Sequence, residues 1–264
     1  MDKHRPRKRF GQHFLTDIGV VDEIMRAISP TADDVIVEIG PGPGAITVPI
    51  AKSCKQLHCV ELDRDLAARL RTQFAGSERV TIHEADALSF DYGALAPALR
   101  IVGNLPYNIS TPLLFHLLRF RDSICDMHFM LQKEVVDRMA AEPGSKKYGR
   151  LSIMLGCYLD IDALFDVDRL AFDPPPAVTS AVVRLRPKTG DDTYDIKDEQ
   201  YLTQLVATAF SQRRKTVRNA LKKLVSEEEL ESLRIDPALR PENIRVSDWV
   251  ALANRMATKT DIPV

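Results

Sequence analysis

The 264-residue sequence predicts an α/β fold, a doubly wound sheet domain followed by a small all-α domain. In the first half, short apolar runs alternate with helix-length segments, the rhythm of parallel βαβ units. After residue 150 that alternation stops, and Pro187-Lys188-Thr189-Gly190-Asp191-Asp192 reads as a linker. Beyond the linker only the spacing of short amphipathic helices remains. The boundary therefore falls between domains 1–187 and 188–264.

The strands are expected at Val35-Ile39, Leu57-Leu62, Val80-His83, Arg100-Gly103 and Met127-Leu131, each bounded by turn residues. Helical periodicity lies between them at 45–53, 63–74 and 111–120, with Asp63 and Ser110 as cap candidates. Leu159-Val167 and Ala181-Leu185 extend or close the sheet as antiparallel strands. Helices are expected at 202–210, 216–225, 227–233 and 246–256.

With 45% hydrophobic residues, the chain has enough apolar mass for one sizeable core and a smaller second unit. Four irregularly spaced cysteines form no Cys-x-x-Cys and the histidines no His-x-x-x-His, so neither disulfides nor a metal site are expected. No apolar run approaches the roughly 18 residues of a membrane span, and the basic amino terminus is not followed by an apolar segment. A cytoplasmic, monomeric protein without a membrane partner is the expectation. The net charge of −1 excludes a uniformly basic nucleic-acid binder, but the cations are clustered.

Four polar features follow four successive strands. Glu38-Ile39-Gly40-Pro41-Gly42-Pro43-Gly44-Ala45 is a glycine turn between strand and helix, where backbone amides approach a ligand at the carboxyl edge of the sheet. Glu61 ends the second strand, where an acid can hold two ribose hydroxyls. Asp86 follows the third and can accept the amine of an adenine. After the fourth comes Asn104-Leu105-Pro106-Tyr107. The Asn carbonyl and the Leu105 carbonyl before proline can each accept a proton from an exocyclic amine, and Tyr107 can stack on the ring that carries it. Each motif has an ordinary alternative as well. Gly40, Gly42 and Ala45 also satisfy a relaxed dinucleotide fingerprint, which leaves a nicotinamide enzyme open, and Asn-x-Pro-x is common turn chemistry.

With these motifs in order, the chain resembles the ribosomal RNA adenine dimethyltransferases, most closely the bacterial small-subunit branch. Further matches are Lys8-Arg9-Phe10-Gly11-Gln12-His13-Phe14-Leu15, Tyr148-Gly149-Arg150-Leu151-Ser152, Phe172-Asp173-Pro174-Pro175-Pro176-Ala177-Val178-Thr179-Ser180, and the run from Phe210 to Asn219. The resemblance implies a Rossmann-like, S-adenosylmethionine-dependent methyltransferase domain with a helical carboxy-terminal domain. It also implies dimethylation of two adjacent adenosines near the 3′ end of 16S rRNA, within the small ribosomal subunit or its precursor, and a part in ribosome biogenesis. The cofactor contacts it implies are His13, Leu15, Gly40, Gly42, Glu61, Asp86 and Asn104. His13 departs from the asparagine common at that position. Asn104, Leu105, Tyr107 and Phe172 form the adenosine pocket, with Phe172 as a second stacking ring. A 23S rRNA dimethyltransferase conferring antibiotic resistance shares the chemistry, and a non-catalytic assembly factor shares the fold.

Two basic clusters offer phosphate contacts beside a base pocket: Arg7, Lys8 and Arg9 with Lys3 and Arg5, and Arg213, Arg214, Lys215, Arg218 and Lys222 with Lys223. Arg150 adds to that surface.

Overall fold

The computed structural model describes residues 12–260. Its elements run β1 (Phe14–Leu15), α1 (Ile18–Ile28), β2 (Val35–Ile39), α2 (Thr47–Ser53), β3 (Gln56–Glu61), α3 (Arg64–Gln73), β4 (Val80–Glu84), β5 (Leu99–Asn104), α4 (Ser110–Leu118), β6 (Ile124–Gln132) and α5 (Lys133–Met139). Then follow α6 (Arg150–Gly156), β7 (Leu159–Val167), β8 (Phe172–Asp173), β9 (Ser180–Pro187), α7 (Glu199–Ser211), α8 (Val217–Leu221), α9 (Glu227–Ser232) and α10 (Val246–Thr260).

Every expected strand is present. A seven-stranded sheet has the order β4-β3-β2-β5-β6-β9-β7. The stretch from β4 to β6 is parallel and β9 runs antiparallel to β6, as the apolar runs at 159–167 and 181–185 suggested for this edge. Strand order reverses between β2 and β5, so the crevice at their carboxyl ends is the switch point where open α/β sheets bind ligands. β2 and β3 are buried on both faces, which is why they read as unbroken apolar runs.

Gly103 sets the closeness of the two strands at that crevice. A Cβ there would lie 2.6 Å from the Ile39 backbone carbonyl oxygen and 3.0 Å from the Leu105 side chain. Backbone cannot yield as a side chain end does, so Gly103→Ala is expected to push β5 from β2 and cost about 1–3 kcal/mol. Urea unfolding measures that loss, and an unchanged midpoint would contradict the close approach.

The chain divides into two compact units. One is the stretch up to Val136 with Ile161–Pro187, and the other is Asp137–Asp160 with the stretch from Lys188. The break after residue 187 coincides with the expected linker. The helical unit additionally recruits 137–160, because Tyr148, Ile153, Met154 and Cys157 belong to its core with Leu202, Leu205, Leu230 and Trp249. Tyr148 also donates its hydroxyl to the Ile244 carbonyl at 2.9 Å. The first unit has its own core, in which Ile24 and Ile28 of α1 meet Ile36, Leu57 and Val102 of the sheet. Helix α1 lies outside the expected elements, although Asp17 caps it by accepting from the Val20 N–H at 3.2 Å. All four cysteines are free, and among the described residues no helix is long and apolar enough to cross a membrane.

Candidate active site

The predicted ligand residues converge within the first unit. Gly40 and Gly42 follow β2, Glu61 ends β3, Asp86 follows β4 and Asn104 ends β5, and all line one cavity. His13 and Leu15 join them from the amino-terminal segment, and Leu105 and Tyr107 from the turn before α4.

The glycine turn needs glycine, with φ of 66° at Gly40 and 58° at Gly42. The Gly42 N–H donates to Glu61 Oε2 at 3.2 Å, and the Asp63 N–H donates to Oε1 at 2.8 Å. Two backbone donors thus fix a buried carboxylate whose remaining lone pairs are available to ribose hydroxyls. Burial pushes its pKa up, against the hydrogen bonds from Asp63 and Gly42. Asp86 uses Oδ1 to accept from the Leu88 N–H at 2.9 Å and is itself exposed.

Glu38 also lines the cavity, and its role was not legible in the sequence. It is fully buried, its Oε1 has no partner, and burial together with the nearby Glu61 charge pushes its pKa up to about 8. Glu61 and the protonated Glu38 beside the glycine turn offer oxygen acceptors to hydroxyl and ammonium donors. That acceptor set fits the ribose hydroxyls and the ammonium group of S-adenosylmethionine. Because the folded state holds a proton on Glu38 that the unfolded chain loses above 4.5, its contribution to stability is greatest at acid pH and declines as pH rises toward 8. Glu38→Gln is expected to flatten that decline in melting temperature between pH 5 and 8.5, and an identical slope in the variant would contradict it.

The Asn104 side chain is oriented by backbone. Its Nδ2 donates to the His13 carbonyl at 3.0 Å, which leaves Oδ1 as the acceptor presented to the cavity. The Leu105 N–H donates to the Met130 carbonyl at 3.2 Å. Tyr107 shares a 2.7 Å hydrogen bond with Ser180 Oγ, and burial raises its pKa.

Phe172 stands apart from the other predicted residues. It does not line the cavity but lies in β8, 3% exposed, in the core with Leu15, Ile24 and Val182. Its backbone pairs with Leu15, and its neighbours Leu15, Ile24 and Val182 themselves line the cavity. The ring beside Tyr107 is instead His13, with centroids 6.0 Å apart and planes 26° from parallel. A base between two rings needs about 7 Å, twice a carbon contact distance of about 3.5 Å, so the gap between His13 and Tyr107 is too narrow for one.

Of the basic residues, Arg7, Lys8 and Arg9 lie outside the described residues. Arg150, Arg213, Arg214, Lys215, Arg218 and Lys222 are all exposed and all in the helical unit. Two are partly committed elsewhere. Arg213 donates to the Lys146 and Tyr148 carbonyls at 2.9 and 3.1 Å, and Arg218 pairs with Glu227 at 2.8 Å.

The model of the ribosomal RNA adenine dimethylase family matches residues 3–258. The chain belongs to that family. As a family member it is an S-adenosylmethionine-dependent methyltransferase of ribosomal RNA adenines, and the nicotinamide reading of the glycine turn falls away. The dimethylase is 56% identical over 256 residues to the ribosomal RNA small subunit methyltransferase A of Thiobacillus denitrificans, covering 97% of this chain and 100% of the relative. It is 52% identical over 257 residues to the protein of that name from Dechloromonas aromatica, covering 97% and 100%. Among solved structures, a dimethyladenosine transferase from Plasmodium falciparum superposes with a TM-score of 0.82 at 25% identity, covering 94% of this chain and 98% of that one. The 23S rRNA methyltransferase ErmE shares the fold, with a TM-score of 0.73 at 24% identity over 92% and 99%.

Proposed function

We propose that the chain dimethylates the N6 amines of two adjacent adenosines near the 3′ end of 16S rRNA, in the small ribosomal subunit or its precursor, and so takes part in ribosome biogenesis. Its curated relatives at more than 50% identity carry the small-subunit name, whereas the 23S enzyme supports the fold alone. The observation that carries the reading is the Asn104 amide, turned by the His13 carbonyl so that its oxygen meets an amine donor.

The cofactor supplies an electrophilic methyl group. The residues of this chain hold and orient. Glu61 takes the ribose, Asp86 the cofactor adenine, and the glycine turn with Glu38 the amino-acid part, with His13 and Leu15 closing the site. Asn104 Oδ1 and the Leu105 carbonyl accept the two protons of the target amine, which turns the nitrogen lone pair out of conjugation with the ring. Proton loss follows transfer and needs no dedicated base, so the catalytic contribution is mainly positioning. Tyr107 stacks on the target base, which has to leave its own stack to arrive there. Arg150, Arg214, Lys215 and Lys222 contact phosphate, with Arg213 and Arg218 at the same surface and Arg7, Lys8 and Arg9 from the amino-terminal arm.

The test offers labelled S-adenosylmethionine with small or large subunits from cells lacking these modifications. Label entering small subunits alone is expected. Label entering only large subunits supports the 23S alternative, and none in either, beside an active control enzyme, supports a non-catalytic assembly factor.

A further inference from the structure

Residue 13 joins three parts of the site. Its backbone carbonyl accepts from Asn104 Nδ2, its ring lies against Tyr107, and its Nδ1 is 2.8 Å from the Pro174 carbonyl. A carbonyl only accepts, so Nδ1 carries the proton and the neutral ring keeps Nε2 as an acceptor. Protonation therefore falls on Nε2. It leaves the Pro174 bond intact and places a cation in the wall of the cavity.

We propose that His13 is a positioning residue whose neutral imidazole is required for full affinity toward the sulfonium cofactor, so that protonation of this ring makes the site prefer the spent thioether over the methyl donor. This rests on the reading of the cavity as the methyl-transfer site. In the transfer, the sulfur–methyl bond breaks with its electron pair staying on sulfur, and the amine nitrogen forms the new bond and then releases a proton to solvent. The donor sulfur is thus positive before the reaction and neutral after it. An imidazolium in the wall repels the first and is indifferent to the second. Asparagine at this position would keep a donor for Pro174 and the same backbone carbonyl, but could not charge.

Other ionisable groups share the surroundings. Glu38, Glu61, Asp86 and Tyr107 line the same cavity, Asp173 pairs with Phe14 across β1 and β8, and Gln12 reaches Asp63. All of them remain in a His13 variant, so the difference between wild type and variant isolates the imidazole.

The experiment is calorimetric titration of the full chain with S-adenosylmethionine and with S-adenosylhomocysteine from pH 5.5 to 8.5, for wild type, His13→Asn and His13→Gln. In the wild type the ratio of donor to thioether dissociation constants is expected to rise about tenfold from pH 8.5 to pH 5.5. Both variants are expected to show a distinctly shallower rise, that of the carboxyl groups they retain. A wild-type ratio independent of pH, or the same slope in a variant that binds both ligands, overturns the proposal. Asn104→Ala distinguishes this failure from failure of the site: unimpaired methyl transfer in that variant overturns the site reading itself, while lost transfer beside a pH-independent ratio overturns only the role of His13.

Discussion

Asn104→Ala is expected to lower kcat by about a hundredfold or more, the scale on which loss of one fixed polar contact at a reacting centre is felt. The change removes the acceptor for one amine proton. It also removes the donor that holds the His13 carbonyl at 3.0 Å, so residue 13 is released from the clamp at the same time. Single-turnover methyl transfer to undermethylated subunits, at saturating cofactor, measures the effect. A variant within a few-fold of wild type would show that the amine is held elsewhere. Asn104→Asp is the sharper comparison, because it keeps an acceptor oxygen but removes the donor to His13 and adds a fourth carboxyl group to a cavity that already holds Glu38, Glu61 and Asp86.

Tyr107→Ala is expected to reduce kcat/KM for RNA by roughly five- to 150-fold, the equivalent of about 1–3 kcal/mol of base stacking. Cofactor affinity is expected to stay within about twofold, since the glycine turn, Glu61 and Asp86 come from other strand ends. Tyr107→Phe retains the ring and loses only the hydrogen bond to Ser180, so most of the turnover returns. Calorimetry showing equal losses of cofactor and RNA binding in Tyr107→Ala would place the ring in the cofactor site instead of on the target base.

Much of this site was legible because a parallel sheet turns sequence order into spatial order. Gly40, Glu61, Asp86 and Asn104 each follow an apolar run, and runs that pair in parallel bring their carboxyl ends to one edge. What was missed depends on partners that no local pattern encodes. The carbonyl of residue 13 has no sequence signature, since every residue carries one. Phe172 reads the same in sequence whether it stacks on a base or fills a core, and its burial beside Leu15 depends on a pairing 157 residues away. Glu38 stands in the quoted glycine motif, yet its significance comes from complete burial. Helix α1 did leave a signal, Asp17 as cap before Val21, Ile24 and Ile28 at helical spacing. The stretch 137–160 interrupts the sheet domain in sequence but packs with the helical core, a choice made by Tyr148 and Ile153 in three dimensions.

The central claim is that the clamp formed by Asn104, Leu105 and Tyr107 presents the exocyclic amine of an adenine to the methyl donor. The most direct measurement is mass spectrometry of nucleosides released from small subunits after reaction with isotopically labelled S-adenosylmethionine, with wild type and Asn104→Ala in parallel. The account predicts N6,N6-dimethyladenosine carrying two labelled methyl groups from the wild type and a near absence of it from the variant. Label on a ribose hydroxyl, on a ring atom or on another base, or equal dimethyladenosine from both proteins, would contradict it.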